Sequence, residues 1–325
     1  MHLHRSYTLF LLSVALLANA APAPEAIVVP PSPMPLTDLA ARELQRYLYL
    51  LSGELLPIRE NCEGSCFAVD GPTVNPLVRE LVAGKALSWN PGRLGDQGYI
   101  LSTVQHKGRT VTVAAGATPL ATMYAVYDLL ERYGFGFYLG GDALPEPRPL
   151  AFLELNDVCV PRFRIRGSLP WYNFLNSPTT WNLADHRRFY DQMAKMRMNF
   201  VGFHAYDYEP FTAVQLDGHW QFGQPLQNTR QNVWGALPMR TEEWGFGTSE
   251  CFHREYFGPD ASLDYESFDE GITKAQRLLA NGLAYARQRG IHVCVGFEVH
   301  GDPGDPRNEM MLEQRLRHLL ATCPM

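Results

Sequence analysis

The sequence predicts an α/β protein in two parts: a small N-terminal α/β domain and an incomplete (β/α)8 barrel of the TIM type. In residues 25–157 strand and helix patterns alternate irregularly, whereas from Pro161 onward they follow strictly as strand, helix, strand, helix, strand, helix. Regular alternation is typical of parallel βαβ units. Residues 161–325 carry three predicted strands and are fewer than the ~250 residues of a complete barrel, so we expect only its first three strands here.

The first residues have the composition of a secretory signal peptide. A basic start at Met1–Arg5 is followed by an apolar run, Thr8–Leu17, and by the small residues Ala18-Asn-Ala. The apolar run is shorter than the ~20 residues that cross a membrane. We therefore expect residues 1–21 to direct export, which predicts a secreted or periplasmic protein, and no later stretch is long enough to span a bilayer.

The composition favours a globular protein and excludes several partners. Hydrophobic residues make up 46% and charged residues 19% of the chain, which fits a packed core. The net charge is −6 and Lys and Arg form no run, which argues against binding to nucleic acid or to an anionic membrane. The composition points to no particular ligand and to no particular oligomeric state.

The six cysteines are too few for a disulfide scaffold in an exported chain of this length. Cys62 and Cys66 could close a small loop through a bridge, or remain free. Cys294 lies in an apolar strand and is expected to be a buried free thiol. The chain has no CxxC pair and no P-loop, GxSxG or HExxH motif, so we expect neither a metal nor a cofactor.

The N-terminal domain begins with a strand at Ala26–Val29 and a helix that Thr37 or Asp38 would cap. Apolar residues recur at helical spacing as far as Ser52, and Gly53 is a typical helix end. Similar patterns predict strands at 67–69, 98–104, 110–114 and 135–139, and helices at 74–82 and 118–133.

The second part is predicted to contain strands at 163–167, 199–204 and 291–297, and helices at 185–198, 272–289 and 308–321. Between the second strand and the next helix, residues 205–264 lack strong periodicity and are rich in Trp, Gly, Pro and Asn. A loop of this length after a strand is usually functional. Asp207 and Glu209, near its start, could equally belong to a solvated loop.

Polar residues follow each of the three strands, at Arg166-Gly167, at 204–207 and at 298–302. In βα folds, ligands bind at the carboxyl ends of the strands. Aromatic rings and amides are interleaved in 171–176; rings stack on the apolar face of a sugar, and amides bond its hydroxyls. The predicted site therefore binds a carbohydrate, with Glu298 as a supporting carboxylate and with sugar contacts from Arg166, Trp171, Asn173, Trp181, His204, Asp207 and His300.

Each of these candidates also has a structural alternative. Arg166 could pair with a neighbouring carboxylate, and Trp171 and Trp181 could fill space under the loop. His204 could be a satisfied histidine at the end of its strand. Glu298 and His292 are too far apart along one strand to share a metal ion.

Motifs in the first part resemble the N-terminal domain shared by β-N-acetylhexosaminidases and bacterial α-glucuronidases, which is the second domain of the hexosaminidases. The matching segments are Ala40–Gly53, Gln97–Ile100 and Ala115–Glu131. In the second part, Pro161–Gly167 and Gln192–His204 resemble the first two strands of the catalytic barrel of these enzymes. The stretch 286–293, which leads to Glu298, resembles the third.

The resemblance implies that Arg166 and His204 hold a sugar, and that the general acid follows a fourth strand beyond Met325. The chain departs from the hexosaminidase pattern in two respects. It lacks their Asp-Glu pair, with Glu298 standing roughly where the Asp of the third strand would be, and the aromatic stretch 171–176 is not theirs. Both departures favour an α-glucuronidase-like or unassigned relative.

The leading hypothesis is therefore an exported glycoside hydrolase that acts on a poly- or oligosaccharide by means of two carboxylates, with a truncated catalytic barrel. The alternative is an exported carbohydrate-binding protein without catalysis, which would use the same arginine and aromatic residues. A third possibility is a purely structural exported module. An incomplete barrel also predicts an uncovered sheet edge.

Overall fold

The computed structural model of the chain describes residues 23–170, 181–206, 209–221, 223–225, 231–234, 237–240, 265–298, 302 and 304–322. In these residues the fold is mixed α/β, with a six-stranded sheet between residues 26 and 159 and a three-stranded parallel sheet between residues 167 and 297. The predicted signal peptide, 1–21, lies outside the described residues. In the described part, no helix combines the length and the hydropathy that crossing a membrane requires.

The six-stranded sheet has the order β2-β1-β3-β5-β4-β8. The strands β2, β1, β3 and β5 run parallel to one another, whereas β4 pairs antiparallel with both β5 and β8. The elements of this part are β1 (Ala26–Val28), α1 (Pro35–Ser52), β2 (Ile58–Arg59), β3 (Cys66–Val69), α2 (Pro76–Ala83), α3 (Pro91–Leu94), β4 (Tyr99–His106), β5 (Arg109–Gly116), α4 (Pro119–Arg132), β6 (Gly136–Tyr138), β7 (Gly141–Ala143) and β8 (Asn156–Cys159).

Helices α1 and α4 confirm two of the strongest periodicities in the sequence. Helix α1 begins at Pro35, two residues before the predicted caps, because proline suits the first helical turn. It ends at Ser52 and is capped by Gly53, whose φ of 76° is left-handed and whose N–H donates to Tyr49 O. Together, α1 and α4 cover one face of the sheet in an apolar core, while α2 packs on the other face.

Strands β9, β10 and β15 form the three-stranded sheet, in the order β15-β10-β9 and all parallel. Parallel pairing with helical connections is the predicted βαβ arrangement. The elements are β9 (Gly167–Ser168), α5 (Leu183–Lys195), β10 (Phe200–Ala205), β11 (Val214–Leu216), β12 (His219–Gln221), β13 (Gln231–Trp234), β14 (Leu237–Arg240), α6 (Phe268–Gln288), β15 (His292–Phe297) and α7 (Pro306–Thr322).

The first strand of this sheet lies later in the chain than the sequence predicts. The pattern 163–167 suggested a strand that ends in charge, but β9 begins at Gly167 and pairs there with Phe200. The backbones of β9 and β10 approach so closely here that a Cβ at position 167 would lie 1.9 Å from Phe200 O. Only glycine, which has no Cβ, avoids this clash. Arg166 therefore precedes the strand instead of ending it.

The described residues of the predicted loop 205–264 contain regular structure. A 3-10 turn at Pro210–Thr212 is followed by two antiparallel hairpins, β11–β12 and β13–β14. The prediction of a loop without strands is therefore wrong in these segments. Pairings of three and four residues are too short to produce the periodicity by which strands are recognised in a sequence.

The two faces of the three-stranded sheet differ sharply. Val201 and Phe203 on β10 pack in apolar clusters with residues of α5 and α6. On the other face lie Phe200, Gly202 and His204 of β10, whose partners on β15 are His292, Cys294 and Gly296. Cys294 is an exposed free thiol, not the buried one predicted, because it faces this uncovered side and β15 is an edge strand among those described.

Helix α5 and the turn after it contact the helical side of the first part. Gln192 Nε2 donates to Tyr138 O at 2.6 Å, and Arg197 forms an ion pair with Glu131 at 2.8 Å. These contacts lie at the end of α5 that leads into the amino end of β10. The first part of the chain therefore sits beneath the amino ends of the parallel strands.

Cys62 and Cys66 are both free thiols in the structure. Cys66 is fully buried at the start of β3, and the Cys62 Sγ lies 3.6 Å from Gly64 O. Burial, reinforced by the neighbouring Cys62, raises the pKa of the Cys66 thiol to about 12. Of the two alternatives that the sequence left open, the structure has the unbridged one.

Candidate functional site

The carboxyl ends of β10 and β15 lie side by side, since the register pairs Ala205 with Phe297. One step before this, His204 stands opposite Gly296, where a Cβ would lie 3.4 Å from the imidazole Nδ1. The imidazole also meets the Tyr206 ring edge to face, at 4.9 Å between centroids. Imidazole and phenol thus stand together where β10 ends.

A cavity of about 390 Å³ opens beside these two rings, within the size range of small-molecule sites. Its walls are mostly apolar, and Gly202 and Gly296 are among the lining residues. Leu169 reaches over one of them, since a Cβ on Gly202 would lie 2.6 Å from Leu169 Cδ1. The lining residues include Pro170, Phe200, His204, Tyr206, Cys294 and Gly296.

Glu209 lies directly behind this edge and is only 1% exposed. Its Oε2 accepts the Tyr206 N–H at 2.9 Å. Burial, together with the nearby Glu298 carboxylate, raises the pKa of Glu209 to about 8. The interpretation of Glu209 as part of a solvated loop is therefore wrong, because the 3-10 turn that follows folds it inward.

Arg315 of α7 ties that helix to the same edge and is 2% exposed. Its Nη1 donates to Glu298 O at 2.9 Å and its Nη2 to Thr212 Oγ1 at 2.7 Å. The guanidinium also lies over the Phe297 ring, at 4.4 Å from the centroid. Sequence reasoning missed Arg315, since nothing distinguishes it from the other charged residues of its helix.

The structure brings two of the predicted site residues, His204 and Glu298, to neighbouring strand ends. Four others lie outside the described residues: Trp171, Asn173, Asp207 and His300. In the part of the chain that the structure describes, no three His, Cys, Asp or Glu side chains are grouped as metal ligands would be.

Arg166 lies at the opposite end of the sheet from His204. Its Nη1 donates to Gln97 Oε1 at 2.7 Å and its Nε to Arg197 O at 2.9 Å. The guanidinium lies 5.3 Å from the centroid of the Tyr124 ring. The prediction that Arg166 ends a strand at the carboxyl edge is corrected, because this side chain joins the two parts of the chain at the amino edge.

Trp181 packs against helix α5. Its ring centroid lies 5.2 Å from that of His186 and 4.9 Å from that of Phe189. Both partners belong to the helical layer, and His186 is itself buried. These contacts are those of the structural alternative given above, in which Trp181 fills space.

No protein-family model and no curated protein matches the chain. Among solved structures, a GH138 enzyme targeting pectin rhamnogalacturonan II superposes with a TM-score of 0.52 at 11% identity, over 92% of this chain and 29% of that enzyme. The chain has a glycoside hydrolase-like fold. At this identity the likeness concerns the fold alone.

Two other glycoside hydrolases superpose with lower scores. A family GH115 4-O-methyl-α-glucuronidase with specificity for decorated arabinogalactans has a TM-score of 0.42 at 16% identity, covering 59% of this chain and 26% of that one. A mutant Streptomyces plicatus β-hexosaminidase in complex with GlcNAc has a TM-score of 0.40 at 16% identity, covering 85% and 42%. The chain thus spans less than half the length of each of these three enzymes.

Proposed function

We propose that this chain is a glycoside hydrolase-like protein that acts on the glycosidic bonds of poly- or oligosaccharides, and that the saccharide binds at the carboxyl edge of β10 and β15. The observation that carries the proposal is the position of His204 and Glu298 at the ends of adjacent parallel strands beside a cavity. Ligand sites of βα folds lie at this edge. The glycoside hydrolase-like fold supports the same location.

The two-part organisation belongs to this proposal. Residues 25–157 are an accessory α/β domain, and residues 161–325 contribute the first three strands of a (β/α) barrel. The support is the strictly parallel order β15-β10-β9, with helices α5 and α6 packed on one face of the sheet. The export signal predicted in 1–21 fits a protein that meets polysaccharide outside the cell.

Each residue at the edge has a proposed task. His204 and Tyr206 offer hydrogen bonds and an aromatic surface to one sugar ring, since imidazole and phenol groups can both donate and accept. Glu298 is the supporting carboxylate, which accepts hydrogen bonds from sugar hydroxyls. Arg166 joins the two parts of the chain and does not contact the sugar.

Calorimetric titration of the purified chain with oligosaccharides from pectin, arabinogalactan and chitin tests the proposal. We expect one class to bind, and His204→Ala and Glu298→Gln to weaken it at least ~10-fold, which corresponds to about 1.4 kcal/mol. His292→Ala is the matched control, because His292 shares the sheet face with His204 but lies at the opposite end. The His292→Ala variant should bind the oligosaccharide with the affinity of the wild type.

Release of reducing ends from the bound oligosaccharide distinguishes hydrolysis from binding alone. Binding without release supports the exported carbohydrate-binding protein. If the folded chain binds none of the three classes, or if His292→Ala weakens binding as much as His204→Ala, the proposed site is wrong.

A further inference from the structure

Glu298, the supporting carboxylate of the proposed site, lies one residue beyond the parallel ladder. Among the described residues, the register between β10 and β15 ends at the pair Ala205 and Phe297. Ladder hydrogen bonds fix the backbone only as far as that pair, so the position of Glu298 depends on other contacts. Its backbone carbonyl accepts a hydrogen bond from Arg315 Nη1 at 2.9 Å. A side chain of helix α7 therefore holds the backbone at this strand end.

Arg315 is a costly residue at its place in the fold. It lies on the buried side of α7 in one row with Met311 and Leu319, and it is only 2% exposed. Removing a guanidinium group from water costs free energy, and an apolar side chain of similar volume is often at least as stabilising. The Phe297 ring, 4.4 Å from the guanidinium, offsets part of the cost. Helix packing alone does not account for an arginine here.

The second hydrogen bond of this guanidinium reaches the segment that follows β10. Arg315 Nη2 donates to the hydroxyl of Thr212 at 2.7 Å, and Thr212 is fully buried in the 3-10 turn. Glu209, directly before that turn, accepts the N–H of Tyr206. The planar fork of a guanidinium holds two acceptors at a fixed separation, which a single ammonium group does not. Arg315 thus fixes the end of β15 relative to the turn after β10.

The turn has an independent support, whereas the contact to α7 at the strand end comes from Arg315. From α6, Gln276 Nε2 donates to Pro210 O at 2.9 Å and to Ala213 O at 2.8 Å. Both hydrogen bonds remain when Arg315 is replaced. Glu298 O, in contrast, loses the hydrogen bond that joins it to α7. The loss of Arg315 should therefore displace Glu298 more than it displaces the turn.

We propose that Arg315 is a positioning residue of the candidate saccharide site. It holds the Glu298 backbone so that the Glu298 carboxylate meets the same ligand as His204 and Tyr206, and it does not contact the ligand itself. The proposal deepens the proposed function and rests on it for the identity of the ligand. The effect of Arg315 on the end of β15 does not depend on a ligand.

Calorimetric titration of Arg315→Met with the oligosaccharide that the wild type binds tests the positioning role. Methionine keeps an unbranched apolar stem on the buried side of α7 but removes both hydrogen bonds. We expect the affinity to fall by about 5- to 10-fold, with an unfolding midpoint in urea at or above that of the wild type. Arg317→Met is the matched control, because Arg317 lies on the same helix, is 75% exposed and pairs with Glu313. Its affinity should match that of the wild type.

A double-mutant cycle with Glu298→Gln separates positioning from a general structural role. If Arg315 acts through Glu298, adding Arg315→Met to Glu298→Gln should weaken binding by less than about twofold further. A general loosening of the fold would instead weaken binding equally in both backgrounds, and that result overturns the proposal. Arg315→Lys keeps the charge but reaches one acceptor at a time, so it should restore part of the affinity. Should Arg315→Met not fold, Arg315→Lys takes its place in the cycle.

Hydrogen exchange of the ligand-free chain distinguishes a failure of this proposal from a failure of the proposed function. In Arg315→Met the amides of residues 296–298 should exchange about 10-fold faster than in the wild type, while those of 275–286 in α6 exchange unchanged. If the wild type binds no oligosaccharide but this exchange difference appears, the proposed function is wrong and Arg315 still fixes the strand end. If the wild type binds and Arg315→Met matches it in affinity and in exchange, the positioning role is wrong and the proposed function stands.

Discussion

Lys195 Nζ lies 2.9 Å from Asp142 Oδ2, and this ion pair joins α5 to the hairpin β6–β7. Both side chains are at most 17% exposed. Asp142 also accepts hydrogen bonds from the Tyr47 hydroxyl and from Gln192 Nε2. Burial opposes ionisation of Asp142, but the hydrogen bonds from Tyr47, Lys195 and Gln192 outweigh it and lower the pKa of this carboxyl. The two parts of the chain are thus held together by a buried charge that is fully partnered.

Asp142→Asn should destabilise the chain by about 2–4 kcal/mol, because it removes the carboxylate that pairs directly with the buried ammonium group of Lys195. The measurement is urea unfolding at pH 7. Asp157→Asn is the control, since Asp157 pairs with Arg132 at 3.1 Å but is 38% exposed, and its loss should cost less than about 1 kcal/mol. Equal unfolding midpoints for the two variants would show that the buried pair adds nothing.

Glu209 should make the chain less stable as the pH rises. Its pKa is about 8 in the folded chain, against an ordinary value of 4.5 for a glutamate in water, so the unfolded chain loses this proton first. The stability contributed by Glu209 is complete below pH 4.5, is lost between pH 4.5 and pH 8, and stays lost above. The free energy of unfolding of Glu209→Gln, measured with urea, should therefore rise relative to that of the wild type when the pH is raised from 5 to 8. A constant difference between the two proteins would contradict the burial of a neutral carboxyl.

His186 should act in the opposite direction, towards acid. It is 2% exposed between α5 and α6, and burial lowers its pKa from 6.5 to about 4. The folded state therefore resists protonation, and stability is lost as the pH falls from 6.5 to about 4. His186→Phe keeps an aromatic ring against Trp181 and Tyr190 and should flatten this slope in thermal unfolding measured from pH 7 to pH 4. His292→Phe, at an exposed site, should leave the slope unchanged.

Arg166→Ala tests whether this side chain holds the fold or the sugar. The substitution removes the hydrogen bonds to Gln97 Oε1 and Arg197 O, so we expect unfolding to require about 1–3 kcal/mol less. Oligosaccharide affinity should stay within about twofold of the wild type, since the guanidinium lies at the amino edge. If the variant is as stable as the wild type but binds oligosaccharide ~10-fold or more weakly, Arg166 holds the sugar, as the family resemblance implies.

The sequence predicts the long helices and central strands of this fold better than it predicts the short strands at the edges of the sheets. Helices α5 and α6 and strands β10 and β15 are long and periodic, and all four lie close to their predicted positions. The first strand was misplaced because Phe163 and Ile165 alternate with arginines as a strand would, yet both are more than 60% exposed. Local alternation does not reveal whether a second strand is available for pairing.

In the candidate site, too, the local sequence pattern does not reveal tertiary contacts. His204 and Glu298 were predictable because each directly follows apolar strand residues. The burial of Glu209 was not predictable, since it depends on the chain folding back so that Gly223 packs on it; a Cβ there would lie 2.4 Å from Glu209 O. A contact of this kind is set by tertiary structure and leaves no mark on the local pattern.

The pairing of β10 with β15 has a consequence for folding kinetics. It joins Phe200 to His292, so the first ladder contact closes a loop of about ninety residues. Closure entropy grows only slowly with loop length, by about 0.6 kcal/mol per doubling, but it must be overcome before any of the six paired positions stabilises the sheet. Helix α6 and the hairpins between the strands are local and can form earlier, which shortens the effective loop. We therefore expect the parallel sheet to form after these local elements when the chain folds.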